Sequence, residues 1–208
     1  VLSASYDAVV VGAGHNGLAC AALLAKSGLS VAVFEQYEQL GGAAVSEAVW
    51  PGYTVSSASY VCTLLDPWLI RELDLERHGY NAYRKDPATF NVLGDGRSLL
   101  LGSDEQANAR EIAAFDKNDV RGFGELDDAI RRLGGCLFET FSDPDPSFAR
   151  FAPDVQSDLT GSAAELVERY VDTPVLQAAV ATDGIIGTYA GPRDPGTGYV
   201  LAHHYAGR

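Results

Sequence analysis

Methionine is absent from all 208 residues, position 1 included, where Val1 stands. A chain of this length ordinarily carries several. The expectation is an internal piece of a longer chain, or a sequence written without its methionines. Cysteine is scarce: Cys20, Cys62 and Cys136 are three in number, with no CxxC pair. An odd, scattered set gives neither a disulfide framework nor a thiolate metal site, and fits a reducing, cytoplasmic compartment. Positive charge is in deficit, 15 Lys and Arg against 28 Asp and Glu, for a net charge of −13. Such a surface repels nucleic acid and anionic membrane. No run approaches the ~18 apolar residues of a spanning helix. The first strand pattern begins at Tyr6 and leaves no room for a signal peptide. With 47% hydrophobic and 21% charged residues, the composition is globular, which excludes disorder and collagen. Length allows one or two domains.

The first 45 residues are the most legible. Tyr6 to Val11 reads YDAVVV, a continuous apolar run that suits a strand buried on both faces. GAGHNG follows over Gly12 to Gly17. Then Leu18, Ala22, Ala25 and Leu29 recur at helical spacing, and alanine-rich composition favours helix. Gly28 is a natural helix stop. Ser30 to Phe34, SVAVF, is a second buried strand. Strand, helix and strand within about 30 residues make a right-handed βαβ unit with parallel strands.

Beyond Gly41-Gly42 the pattern changes. Residues 45–65 mix β-branched, aromatic and Ser residues around a turn at Pro51-Gly52, so strand or extended loop is expected. Asp66-Pro67 opens a helix running to about Leu75. Gly94-Asp95-Gly96 turns a hairpin between Thr89–Leu93 and Arg97–Leu101. From Ser103 helices dominate. Capping boxes stand at Ser103–Gln106 and Ser162–Glu165, and Thr173-Pro174 opens a further helix by a Thr cap plus proline at its first position. The first 65 residues carry a charge of −3 and the rest −10, the bland reading of which is a solvated helical surface.

Gly12, Gly14 and Gly17 form GxGxxG, weak alone but here set between a strand and a helix. Gly12 permits the tight turn, Gly14 lets backbone approach a pyrophosphate, and Gly17 lets helix and strand pack closely. N–H groups at the helix start then face the phosphates. Glu35 ends the second strand 18 residues after Gly17. An acid there accepts ribose hydroxyls and repels a 2′-phosphate. Gln36 to Ala44 reads QYEQLGGAA, and its glycine pair can reach the same pyrophosphate from the other side. Simple nicotinamide dehydrogenases do not need that element, so FAD is favoured over NAD.

The blocks YDAVVVGAGHNGLACAALLAKSG, VFEQ with LGGAAVSE, PGYTVSSASYVCTLL, ELDLERHGY, DPATF, DGRSLLLG and ATDGIIGTYAGPRDPGTGYVLAHH together resemble the phytoene-desaturase-related FAD-dependent oxidoreductases. Within them the likeness is strongest to the group of pyridine nucleotide-disulfide oxidoreductase domain-containing protein 2 and its bacterial relatives. It covers nearly all of the chain and is weakest between about Arg121 and Thr160. The resemblance implies FAD contacts at Gly12, Ala13, Gly14, His15, Asn16 and Gly17, and a ribose contact at Glu35 with Gln36 beside it. It implies pyrophosphate and flavin-side contacts at Gly41, Gly42, Ala43 and Ala44. Amine oxidases and many carotene desaturases have Arg after the glycine pair. Ala43 stands there instead, so amine oxidase activity is not implied. Family members run to several hundred residues and return near the C-terminus to a second flavin segment. Nothing after Tyr189 resembles it, so an N-terminal portion is expected, with the missing C-terminal part of the same protein as its partner.

Other residues carry less. His203 and His204 are adjacent and on a helix point about 100° apart, which suits a structural or subunit-contact pair better than a metal. Tyr60, Cys62 and Trp68 are candidates for a substrate pocket but more often core. No catalytic residue or metal ligand can be assigned. The sequence therefore predicts an α/β fold: a Rossmann-like FAD-binding βαβ domain beginning in residues 1–65, interleaved with a mixed β-hairpin and helical substrate region, 66–208. The expected function is hydride or electron transfer between flavin and a small, apolar organic substrate, with a second copy of the chain, in a homo-oligomer, among the expected partners. An NAD-dependent dehydrogenase and a non-catalytic FAD-binding regulatory protein are the alternatives.

Overall fold

The structure is a computed structural model that describes residues 5–206. It divides into two compact units, one ending at Ala82 and one beginning at Tyr83.

The first unit opens with strand β1 (Ala8–Val11), helix α1 (His15–Lys26) and strand β2 (Val31–Phe34). The two strands pair in parallel, Ala8 opposite Val31 through Val11 opposite Phe34. Asp7 sets the register: its carboxylate accepts the Ser30 N–H at 2.9 Å and the Ser30 hydroxyl at 2.6 Å. α1 stops where Gly28 takes a positive φ of 95°, a conformation that costs glycine little. A single helical turn, Gly42–Ala44, leads into the antiparallel hairpin β3 (Ser46–Trp50) and β4 (Tyr53–Ser56). Helix α2 (Pro67–Glu72) is capped by Asp66, whose carboxylate accepts the Trp68 N–H at 2.7 Å. The expected extension to Leu75 does not form as helix, because Asp74 adopts a left-handed φ of 50° and ends the run.

The expectation of strands buried on both faces is not met among the described residues. Val9 and Val11 of β1, and Val33 and Phe34 of β2, are exposed. The apolar run reports strand and apolarity. It does not report what covers the second face.

The second unit is a hairpin packed on helices. β5 (Thr89–Val92) and β6 (Ser98–Leu101) pair antiparallel, and Leu99 and Leu101 point into the core. There follow α3 (Glu105–Ala113), α4 (Asp119–Phe138), α5 (Pro153–Thr160), α6 (Ala163–Glu168), α7 (Pro174–Ala181) and α8 (Thr197–Tyr205). Leu126, Ile130, Leu133 and Leu137 recur along one face of α4 and are all buried with Leu159, Leu166, Leu176 and Leu201. Close approach needs small residues. A Cβ on Gly122 would overlap the Tyr170 carbonyl, and one on Gly198 the Asp158 carbonyl.

Two caps differ from expectation. At α3 the cap is Asp104, accepting the N–H groups of Gln106 and Ala107. Ser103 instead donates its hydroxyl to Asp86 at 2.6 Å. At α7, Thr173 makes no side-chain cap. The buried carboxylate of Asp119, at the start of α4, accepts the N–H groups of Asp172 (2.9 Å) and Thr173 (2.8 Å). No helix is long and apolar enough to cross a membrane among the described residues.

Candidate dinucleotide site

The site lies within the first unit, where β1 ends and α1 begins. Gly12 turns the chain with φ of 97° and donates its N–H to the Phe34 carbonyl at 2.7 Å, continuing the strand pairing one residue further. Gly17 lies on α1, and a Cβ there would overlap the Gly12 carbonyl oxygen. The fold itself therefore demands glycine at 12 and at 17. At Gly14 it does not. This residue has φ −70° and ψ 171°, extended backbone open to any residue. A Cβ on it would meet only the Gly42 Cα, at an ordinary 3.9 Å.

Gly14 is also the N-cap of α1, where no side chain caps the helix and no acid stands in the first turn. The opening N–H groups of a helix lack intrahelical partners and carry the positive end of its dipole. His15 and Asn16, the first two helical residues, are exposed beside them. The second glycine element meets the first directly. Gly41 forms a parallel bridge with Gly14 and donates its N–H to the Ala13 carbonyl at 2.8 Å. Gly42, with φ of 58°, lies so close that a Cβ would come within 3.0 Å of the Gly14 Cα. Ala43 and Ala44 follow on the exposed helical turn.

Glu35 stands at the end of β2. One carboxylate oxygen, Oε2, accepts the Ala13 N–H at 2.7 Å. The other, Oε1, accepts those of Gln36 (2.8 Å) and Tyr37 (3.1 Å). The Ala13 and Tyr37 bonds hold its carboxyl below the usual carboxylate range, partial burial opposes them, and the Gln36 bond adds to the lowering. The group is an anion at neutral pH.

The structure thus gathers Gly12, Ala13, Gly14, His15, Asn16, Gly17, Glu35, Gln36, Gly41 and Gly42 around one turn, with Ala43 and Ala44 at its margin. The other candidates have surroundings of their own. Tyr60 and Trp68 are more exposed than core residues, and Cys62 lies 3.8 Å from the Tyr80 hydroxyl. His203 is set between the Phe141 and Tyr199 rings, at 5.7 and 6.1 Å, and His204 Nδ1 is 2.9 Å from the Val200 carbonyl. Sequence reasoning missed that Glu35 is held by three backbone N–H groups. The motif spacing marks the acid and carries no signal for its protein partners.

The turn, the helix start and the acid define the chain's class as a Rossmann-like dinucleotide-binding protein, and residues 10–69 match the family described as NAD(P)-binding Rossmann-like domain. Along 99% of its length the chain is 35% identical to the mouse protein named pyridine nucleotide-disulfide oxidoreductase domain-containing protein 2, of which it covers 42%. It is 31% identical to hydroxyneurosporene desaturase of Cereibacter sphaeroides, over 74% of this chain and 30% of that one. The chain is thus similar to proteins named for an oxidoreductase domain and for a desaturase, and it spans about two fifths of the length of the mouse protein. In fold it matches a structure of putrescine oxidase bound to putrescine, with a TM-score of 0.55 at 20% identity, over 94% of this chain and 40% of that one.

Proposed function

We propose that this chain binds FAD and serves an oxidoreductase that moves a hydride or electrons between flavin and a small, apolar organic substrate. Gly14 carries the reading. It is the one glycine of the motif that the fold does not require, so its missing side chain answers to something outside the chain. A pyrophosphate lying against that backbone, in front of the uncapped start of α1, would meet the free N–H groups and the positive end of the helix dipole. The pairing of Gly41-Gly42 with Gly14 supports FAD, since it adds a second backbone element at the same point.

In this reading Gly14, His15, Asn16 and Gly17 present backbone to the pyrophosphate, and Glu35 takes a ribose hydroxyl. Gly41 and Gly42 close the other side, with Ala43 and Ala44 toward the flavin. Flavin, when bound, supplies the hydride-accepting chemistry. The cofactor role falls to residues 1–65 and a substrate-facing role to 66–208. The likeness to a desaturase supports an apolar substrate. The exposed face of β1 and β2 supports cover from the missing part of the same protein or from a second copy. The unpaired Cys20, Cys62 and Cys136 support a reducing, cytoplasmic location.

The description of the matching family favours a second reading, a nicotinamide dinucleotide. Purified chain titrated with FAD, NAD and NADP separates the two. Saturable FAD binding with quenching of flavin fluorescence is expected. Saturable NAD binding with no response to FAD would replace the first reading with the second. Gly14→Val should abolish binding of either while leaving the circular dichroism unchanged.

A further inference from the structure

Among the loop's amides, Ala13 is unlike the rest. It is 1% exposed, and both of its backbone groups are committed inside the protein: its N–H to Glu35 Oε2 at 2.7 Å, its carbonyl to the Gly41 N–H at 2.8 Å. No donor remains on it for a phosphate. The peptide between Gly12 and Gly14 is clamped between the end of β2 and the second glycine turn. Glu35 in turn has about four lone-pair sites, of which Ala13, Gln36 and Tyr37 take three.

We infer that Glu35 is a positioning residue for the phosphate-binding turn, acting through Ala13, and that it reaches the nucleotide itself through a single ribose hydroxyl. This rests on the dinucleotide reading and deepens it. The acid fixes the turn before ligand arrives, so the ordering cost is met during folding rather than at binding. Gly14 and the first N–H groups of α1 are left aimed outward. A residue that only read the ribose would have its lone pairs free in the absence of ligand, and three of these are occupied.

The two roles separate when the ribose hydroxyls are removed from the ligand instead of the acid from the protein. The probes are ADP and 2′,3′-dideoxy-ADP, titrated calorimetrically into the wild-type chain and into Glu35→Ala and Glu35→Gln. Wild type should bind both. Glu35→Ala should weaken dideoxy-ADP by about tenfold or more, the loss expected for a charge-assisted hydrogen bond, although that ligand offers no hydroxyl to the acid. Glu35→Gln, which keeps one acceptor oxygen and nearly the same shape, should fall between them, and it carries the test if the alanine variant does not fold. In the free protein, amide hydrogen exchange at Ala13 should quicken by about the same factor while the interior of α1 keeps its protection. Dideoxy-ADP affinity and Ala13 exchange that are both unchanged in folded variants would overturn the inference and leave the dinucleotide reading standing. A wild-type chain that binds neither nucleotide would overturn the dinucleotide reading and this inference together.

Discussion

Val11 and Leu133 are both apolar residues on regular elements, and the two units treat them oppositely. Val11 ends β1 with 85% of its surface exposed, whereas Leu133, midway along α4, is 0% exposed. The contrast is general. Among the described residues, the buried apolar residues of the unit ending at Ala82 are three alanines, Ala13, Ala21 and Ala32; the buried leucines, isoleucines and valines all belong to the unit beginning at Tyr83. Glycine serves packing in both units, since Gly17 lets α1 close on the Gly12 carbonyl, but only the first unit holds a motif glycine free of that duty. Gly122 and Gly198 let helices touch, while Gly14 touches almost nothing. The second unit buries large apolar side chains, and the first leaves its large ones on the surface. Apolar burial at roughly 25 cal/mol per Å² therefore stabilises the second unit far more than the first.

The sharpest way to break this comparison is to cut a side chain from each unit. Leu133→Ala should cost about 2–5 kcal/mol, the range for a fully buried leucine whose cavity cannot collapse. Val11→Ala should change stability by no more than about 0.5 kcal/mol. Urea unfolding followed by circular dichroism reads both. Equal losses would mean that Val11 is buried in solution, by a second copy or another covering surface.

Within the first unit, Gly17 and Gly14 sharpen the distinction between fold and site. Gly17→Ala sets a Cβ against the Gly12 carbonyl oxygen. Backbone cannot yield as a flexible side chain does, so the loss should reach the upper end of the about 1–3 kcal/mol typical of overpacking. Gly14→Ala should leave the melting temperature within about 1–2 °C, a shift that corresponds to a few tenths of a kcal/mol, and should weaken dinucleotide binding. If Gly14→Ala also unfolds the chain, its glycine is structural and the argument for the site loses its main support.

How much of this was legible in the sequence depended on distance along the chain. The βαβ unit, the turn at Pro51-Gly52, the Gly94–Gly96 hairpin and the Ser162 cap rest on neighbours a few residues apart, and each forms as its spacing predicts. The meeting of Gly14 with Gly41 and Gly42 was legible only as a shared target, because nothing local states that two turns 27 residues apart will touch. Asp119 had no signal at all. Its partners lie 53 and 54 residues on, and a helix-starting acid reads as an ordinary surface residue. Thr173 looked like a cap for the same reason. The uncovered face of β1 shows the converse, since an apolar strand predicts burial and names no partner.

Asp119 allows a smaller test on the side of the self-contained unit. Burial raises its carboxyl, but the bonds from Thr173 and Asp172 outweigh this and leave it below its ordinary value. With the folded value depressed, its contribution is present above the unfolded pKa of about 3.9 and is lost as pH falls from there through the folded value. Asp119→Asn should cost about 1–2 kcal/mol at neutral pH, since one buried N–H then faces an amide NH₂. Part of the acid limb of the stability curve should disappear with it. An unchanged limb would show that the two amides find water instead.

The smallest expected effect belongs to His203, at the half-exposed edge of the same unit. Its ring lies 5.7 Å from Phe141 and 6.1 Å from Tyr199, and its neighbour His204 is 6.0 Å away. Burial among these rings lowers its pKa, and repulsion from His204 lowers it further. The sign follows from the depressed folded value. The unfolded chain takes up the proton first, near pH 6.5, so stability holds above that pH and is lost as pH falls toward the folded pKa. Solvent screens a half-exposed imidazole, so the loss should stay below about 1 kcal/mol. His203→Phe keeps a ring between Phe141 and Tyr199 and cannot be protonated. Its urea midpoint should match wild type near pH 8 and exceed it near pH 5, by the same small margin that protonation costs. If the variant instead follows wild type at both pH values, the ring cluster is solvated enough to accept an imidazolium, and even the edge of the second unit then resembles the open surface of the first.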